Sequence, residues 1–481
     1  MSTERNTFYI TTPIYYVNAK PHIGHLYTTI AADVLARWKR QQNKRVLFST
    51  GTDENSQKNV EAAEKAGQPV KEYVDAMAKT WQETFQKLNL SYDVFIRTTD
   101  TLHEEAVKAL LKKLEEKGDV YLGEYEGYYC TGCEAFKAEN EIVDGKCPIH
   151  HTILEKIKEA NYFFKLTKYK DALLQHYAQY PDFLQPESAK HEILNYIEND
   201  LKDISISRQS QEWGIRLPQN AEHAVYVWFD ALINYLTIAG YPNDKKKLAD
   251  FWPADVHLVG RDIIKFHCAI WPAMLLAADL SLPKKVFANG FFTIDGEKIS
   301  KSLGNAIDPL DLVKEYPLDA IRYFLLRDIP YGNDGDFSQQ RLLERYNADL
   351  ANGLGNLASR LLNMIEKFAP QLQLDKNTKN DLTLQNTVSE YLEKCAFDKA
   401  LEAIWQRIAQ ADESIEKNKP WQMAKEGRDK ELQQLLAHLL QDLWLITDAL
   451  KPFMPETHQK LTELLVVESL KKPAEPLFAR K

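Results

Sequence analysis

Two short segments, far apart in the chain, hold residues suited to gripping phosphates. The first is His22-Ile23-Gly24-His25. Glycine lets backbone approach a ligand closely, a helix N-terminus offers unpaired N–H groups, and imidazoles donate to phosphoryl oxygens. By itself this H-x-G-H run reads equally well as a surface turn with capping histidines. The second, Gly296-Glu297-Lys298-Ile299-Ser300-Lys301-Ser302-Leu303-Gly304-Asn305, sets two lysines and two serines beside glycines. Alone it is a solvated basic loop. Paired with the first at the far end of a divided α/β domain, it becomes a cationic loop able to fold over a polyphosphate.

A third group has metal-ligand spacing. Cys130-Thr-Gly-Cys133 and Cys147-Pro-Ile-His150 form a C-x2-C and a C-x2-H pair, thirteen residues apart. Three sulfurs and one nitrogen close a tetrahedral Zn2+ site, with His151 competing with His150 for the fourth place. Four protein ligands leave no open position, so one structural zinc per chain is expected. Five cysteines, three of them within eighteen residues, do not fit a disulfide framework. Cys268 and Cys395 lie in apolar surroundings and read as core.

A fourth group lies near the other end. Asn352, Asn356 and Arg360 recur at i, i+4 and i+8, one polar helix stripe, and Lys419-Pro420-Trp421 begins another helix. Amides beside an exposed aromatic suit unstacked bases, read by stacking and edge hydrogen bonds. From the pattern alone, a solvated face and a packed tryptophan are equally open.

The elements that must position these groups are legible as periodicities. Residues 8–17 are β-rich, and Leu26, Ile30, Val34 and Trp38 predict a helix over 25–41. VLFSTGTDEN then reads as a buried strand entering a polar loop, with helices near 57–89 and 102–118. Strands alternating with helices imply a parallel doubly wound sheet. From about residue 120, Gly, Tyr, Cys and charged residues take over, followed by irregular helix-forming sequence. Buried-strand signals return at 224–232, 254–264 and 284–294. The chain thus divides into a first α/β half (1–119), an insertion (120–222), a second α/β half (223–341) and a helical region (342–481). In the last, Tyr346, Leu350, Leu354, Leu357, Leu361, Ile365 and Phe368 form one apolar stripe, and 432–450 is apolar on most sides.

At 481 residues with 44% hydrophobic content the chain can fill several cores. No run is long and apolar enough to span a bilayer, and the N-terminus lacks a signal-peptide pattern, so a cytoplasmic protein is expected. The net charge of −9 speaks weakly against RNA, which a single basic face can still bind. There is no G-x-G-x-x-G run, and no catalytic triad motif supports a hydrolase.

His22-Ile-Gly-His25 and Lys298-Ile-Ser-Lys-Ser302 resemble the HIGH and KMSKS signatures of class I aminoacyl-tRNA synthetases, in order and separation. The resemblance extends over essentially the whole chain. It implies a Rossmann-like catalytic domain split by the knuckle-bearing insertion, then an all-α anticodon-binding bundle. Within that family the details resemble the methionyl enzymes. Pro13-Ile14-Tyr15-Tyr16 matches the strand end lining their amino-acid pocket. Gly51-Thr52-Asp53-Glu54 matches an acidic loop whose Asp53 pairs with the substrate ammonium. Tyr226-Val-Trp228-Phe-Asp-Ala-Leu232-Ile-Asn-Tyr235 supplies Trp228 and Tyr235 to the pocket, with Leu232 where some relatives have proline. Gly260-Arg-Asp262 and His267 match positions near the ribose and the thioether. Aromatic faces suit methionine's polarizable, unbranched chain.

The resemblance implies catalysis by His22, His25, Lys298 and Lys301, and ATP binding by these with Gly24, Gly260, Asp262 and Ser300. It implies Mg2+ carried with ATP, and C-A-U anticodon reading by Asn352, Asn356, Arg360, Pro420 and Trp421. The expected partners are methionine, ATP and methionine tRNA, including the initiator, with the chain acting as a monomer. The knuckle resembles that of many methionyl enzymes, with His150 at one usual cysteine. The insertion is too short for the editing domain of isoleucyl, valyl and leucyl enzymes. A small-molecule nucleotidyltransferase would share H-x-G-H but leave the helical region unexplained.

Overall fold

Strand β1 (Thr7–Tyr16) is apolar along nearly its whole length and buried almost throughout, as a central strand covered on both faces must be. It anchors a six-stranded sheet in the computed structural model, which describes residues 5–130, 135–137, 142–148, 152–209, 211–298, 307–374, 382–465, 470 and 472–481. Strands β2 (Arg45–Asp53) and β3 (Val94–Arg97) lie on one side of β1; Val256–Gly260, Val286–Asn289 and Leu184–Gln185 follow in order on the other. Every pairing is parallel. Apart from the edge strand Leu184–Gln185, succession runs outward in both directions from β1, which makes the carboxyl ends of β1 and Val256–Gly260 a topological switch point, where such sheets bind ligands. The expected parallel doubly wound architecture is present.

The chain forms two compact units, Met1–Pro21 with Gln42–Asn289 and His22–Gln41 with Gly290–Lys481. In the first, β1 changes register between Thr11 and Ile14. Pro13 lies in that interruption; having no N–H, it cannot continue a central ladder. Next door, a Cβ on Gly51 would fall 2.1 Å from the Ile96 carbonyl, so only glycine lets β3 pair this closely. The segment after residue 119 builds its own antiparallel sheet, Val120–Cys130 against Glu155–Phe164 in continuous register. Later in the same segment, Leu184–Gln185 joins the edge of the central sheet beside Val286–Asn289.

Two strand expectations are corrected. Residues 224–232 are not one strand: Asn220–Val225 pairs in a small antiparallel sheet, and Val227–Leu232 is a helix. A short apolar run without alternation fits a buried helix turn as well as a buried strand. Residues 284–294 divide into Val286–Asn289 in the central sheet and Phe292–Ile294 in a separate three-stranded sheet.

The second unit holds the helix α1 (Ile23–Gln41) and the helical C-terminal region. Arg322, fully buried, donates to Asp33 on α1 at 2.6 Å and to the carbonyls of Phe453 and Pro452 at 2.7 and 3.2 Å. The buried guanidinium is paired through Nε and Nη2 with one carboxylate and two carbonyls, which offsets much of its desolvation cost. The expected helix over 346–368 forms as one run, its first part, Tyr346–Gly355, wound as a π-helix and the rest, Asn356–Phe368, as an α-helix. Leu357, Leu361 and Ile365 point inward from it. Helices Phe397–Asn418, Asp429–Leu450 and Pro455–Leu465 complete the bundle. Cys268 and Cys395 are buried. Among the described residues no helix is long and apolar enough to cross a membrane.

Candidate active site

At the switch point lies a small cleft, partly open to solvent, lined by Pro13, Ile14, Asp53, Trp228, Ala231, Leu232, Asn234, Tyr235, Ile263 and His267. Seven of these are the residues expected to contact an amino acid; Ala231, Asn234 and Ile263 were not anticipated. Pro13 and Ile14 come from the interrupted end of β1 and Asp53 from the end of β2. Trp228 and Leu232 stand on the helix Val227–Leu232 and Tyr235 on Asn234–Ala239. The expectation that Trp228 sits at a strand end is corrected by that helix.

The walls are aromatic and neutral. Trp228 stacks on Phe266 at 4.0 Å with planes 8° apart, and Tyr16 meets it edge-on at 6.2 Å. Phe266 was not among the expected wall residues, although it directly precedes His267 in the sequence. His267 Nδ1 lies 3.0 Å from the Ile263 carbonyl and Nε2 lies 2.8 Å from the Tyr235 hydroxyl. A carbonyl only accepts, so Nδ1 carries the proton and Nε2 accepts from Tyr235. Burial pushes the His267 pKa down to about 4, so the ring is uncharged at neutral pH. Asp53, almost fully buried, contributes the only carboxylate among the lining residues.

The loop that presents Asp53 is held by side chains. Glu54 accepts from Arg97 Nε and Nη2 at 2.7 and 2.8 Å, from Thr52 at 2.8 Å and from Thr99 at 2.5 Å. Asn59 donates to the Asp53 carbonyl at 2.9 Å and Trp213 to that of Glu54 at 2.8 Å. Nearby, Gly260 ends its strand where a Cβ would meet the Asp262 carboxylate at 2.5 Å. Glycine there lets the exposed Asp262 fold back over the strand end.

The two phosphate-type segments belong to the second unit. His22 and His25 stack with centroids 3.6 Å apart at the start of α1. The His22 backbone N–H donates to His25 Nδ1, and the Gly24 N–H to His22 Nδ1, both at 3.2 Å. Each neutral ring therefore carries its proton on Nε2, a donor for an anionic oxygen. Burial, reinforced by His22, holds the His25 pKa well below the usual histidine value. Ile23 N–H donates to the Ile307 carbonyl at 3.1 Å, so the chain leaving the lysine–serine run is docked on the first residue of α1. Lys298 ends the short strand Glu297–Lys298, whereas Ser300 and Lys301 lie outside the described residues.

Of the expected metal ligands, Cys133 and His150 also lie outside the described residues. Cys130 and Cys147 are buried in one cluster with Leu154. Thr152 touches both residues: its carbonyl accepts from the Cys147 N–H at 2.9 Å and its hydroxyl is 3.8 Å from Cys130 Sγ. Among the described residues no three metal-capable side chains gather.

On the helical bundle, Asn352 and Asn356 are exposed. Arg360 pairs with Glu416 at 2.5 Å and with Asp412 at 3.7 Å, and Asn352 accepts from Arg480 at 2.8 Å. Pro420 is buried, while Trp421 is 39% exposed, so Trp421 is not a core residue.

A family model described as tRNA synthetases class I (M) matches residues 8–156 and 152–362. The methionine–tRNA ligase of Caldanaerobacter subterraneus subsp. tengcongensis is 48% identical over 472 residues, covering 96% of this chain and 74% of that protein. That of Bacillus subtilis is 44% identical over 497 residues, covering 98% and 75%. The Mycobacterium tuberculosis methionyl-tRNA synthetase, solved in complex with methionyl-adenylate, superposes with a TM-score of 0.93 at 38% identity, covering 98% of this chain and all of that one. A cleft at the switch point with the expected lining residues accompanies likenesses of this extent: the chain belongs to the class I methionine–tRNA ligases.

Proposed function

We propose that the cavity binds methionine, with Asp53 pairing with the ammonium and Trp228, Leu232, Tyr235 and His267 enclosing the side chain against Pro13, Ile14 and Tyr16. The reaction is the ATP-dependent ligation of methionine to its tRNA through methionyl-adenylate. The observation that carries the site assignment is the neutral His267–Tyr235 pair facing a single buried carboxylate. An uncharged, aromatic wall suits a thioether, whose sulfur is polarizable and a weak acceptor. A lone carboxylate at the rim suits one cation, the ammonium.

In the first step the methionine carboxylate attacks the α-phosphorus of ATP. A carboxylate O–P bond forms, the bond to the bridging oxygen breaks, and pyrophosphate leaves with Mg2+ carried by the nucleotide. No covalent enzyme intermediate is required, so catalysis rests on positioning and on charge stabilisation. His22 and His25 donate through Nε2 to phosphate oxygens while Gly24 lets the nucleotide approach. Lys298, Ser300 and Lys301 close over the departing pyrophosphate. Gly260 and Asp262 hold the ribose. In the second step the 2′-hydroxyl of the terminal adenosine attacks the adenylate carbonyl, and AMP leaves.

The bundle reads the anticodon through Asn352, Asn356, Arg360, Pro420 and Trp421, which gives residues 342–481 their role as the tRNA-reading domain. Cys130, Cys133, Cys147 and His150 hold one Zn2+ in the 120–222 segment. The fit rests on Cys130 and Cys147, buried together around Thr152. Bound there, zinc cross-links the two short loops and takes no part in the chemistry. A monomeric cytoplasmic enzyme serving initiator and elongator tRNA completes the reading. The test is ATP–pyrophosphate exchange with each of the twenty amino acids. Methionine should exceed leucine, isoleucine and cysteine by orders of magnitude; equal exchange with any of them overturns the pocket assignment.

A further inference from the structure

Beneath the cavity wall lies a chain of buried polar side chains that the reaction does not itself require. Asn55, in the loop between β2 and the helix α2 (Gln57–Lys65), donates through Nδ2 to Asp230 Oδ2 at 2.9 Å and to the Thr98 carbonyl at 3.2 Å. Because Nδ2 serves two acceptors, the orientation of the amide is fixed. The other Asp230 oxygen, Oδ1, lies 3.7 Å from His103 Nε2. His103 Nδ1 is 3.1 Å from the Thr237 hydroxyl. Asn55, Asp230 and His103 are all essentially inaccessible to solvent.

Each end of this chain belongs to a different wall. Asn55 stands two residues after Asp53, on the loop that carries the cavity's one carboxylate. Asp230 stands on the helix Val227–Leu232, between Trp228 and Leu232. His103, on Thr101–Glu116, backs Asp230, and Thr237 ties that imidazole to the helix of Tyr235. The other bonds of the loop, from Arg97, Thr99, Asn59 and Trp213, do not reach the pocket helix. A buried carboxylate is costly unless paired and hydrogen-bonded, and an apolar replacement often stabilises equally well. Such a group is most useful where it fixes one arrangement among several.

We propose that Asn55, Asp230 and His103 are positioning residues: a buried relay that locks the Asp53 loop to the helix of Trp228 and Leu232, and so fixes the distance between the ammonium anchor and the side-chain pocket. This rests on the assignment of Asp53 and the aromatic cavity to methionine. None of the relay's side-chain partners is a residue assigned to ATP or tRNA, so its loss should act on methionine alone. A hydrogen bond to a charged group at a buried site corresponds to about tenfold in binding.

The experiment measures ATP–pyrophosphate exchange, varying methionine and ATP separately, on variants whose folding is checked by thermal unfolding. Asp230→Asn and Asn55→Ala should each raise the KM for methionine about tenfold while leaving the KM for ATP unchanged. Combining Asn55→Asp with Asp230→Asn exchanges donor and acceptor and should recover part of the loss seen with Asn55→Asp alone. Thr237→Val, a milder change behind His103, keeps the test available if the buried variants do not fold; it should raise the methionine KM by about threefold. A folded relay variant with an unchanged methionine KM, or with both KM values raised together, overturns the proposal. Asp53→Asn separates the two readings. If it raises the methionine KM and the relay variants do not, the relay alone falls. If Asp53→Asn is also without effect, the anchor assignment falls and the relay with it.

Discussion

On the proposed reading, the cavity and the polar face of the helical bundle solve recognition in opposite ways. In the cavity the His267 ring is buried and both its nitrogens are committed: Nδ1 donates to the Ile263 carbonyl and Nε2 accepts from Tyr235. On the bundle, Asn352 and Asn356 face solvent, Trp421 stands exposed, and Arg360 is held by Glu416 and Asp412. A small apolar side chain offers little to grip, so selectivity must be prepared in advance by shape and by the absence of charge. Unstacked bases carry their own faces and edges, so an open surface with adaptable amides suffices. The first region is legible as a set of converging walls, whereas the second is legible only as a pattern.

This contrast can be broken at the chemistry first. Lys301→Ala should slow methionine-dependent pyrophosphate exchange by about a hundred- to a thousandfold, with methionine binding nearly unchanged, because the lost charge acts mainly in the transition state. If methionine binding, measured by calorimetry, falls instead while turnover survives, the lysine–serine loop has been misread.

At the insertion the expected effect is on stability. Elemental analysis should find one zinc per chain, and Cys147→Ser should lose it together with several degrees of thermal stability. A metal-free protein with full activity and an unchanged melting temperature would remove the knuckle from the account.

The smallest effect sharpens the claim that the His267 ring is neutral. The folded pKa of His267, about 4, lies below the unfolded value, so between the two the unfolded chain binds the extra proton. Its stabilising contribution is therefore complete above about pH 6.5 and is lost as pH falls toward 4. At pH 5 the loss should be on the order of 2 kcal/mol, and His267→Gln should flatten that part of the stability curve. His25 and His257, also held low by burial, tilt the curve the same way. A melting temperature that rises from pH 6.5 to 5 would contradict a neutral His267.

The sheet was legible because β1 and Val256–Gly260 are largely apolar, buried runs rich in β-forming residues, with helical periodicities between them. The aromatic wall was legible as residues but not as elements. Val227–Leu232 reads as a strand since a six-residue run with only Asp230 polar carries too little periodicity to separate a helix turn from a buried strand. Phe266 gave a signal that its neighbour His267 eclipsed. The relay from Asn55 through Asp230 to His103 left no signature, because its three members are scattered over 175 positions and are joined only by folding. The place of Leu184–Gln185 in the central sheet was hidden for the same reason: a two-residue edge strand has no period.

The claim that the two regions act separately is tested most directly by Trp421→Ala. Its pyrophosphate exchange with free methionine should stay close to normal, since adenylate formation needs no tRNA. Its aminoacylation of methionine tRNA should fall about ten- to a hundredfold through the KM for tRNA, the cost of losing one stacked base. A folded variant that loses both activities together, or that loses neither, would contradict the account.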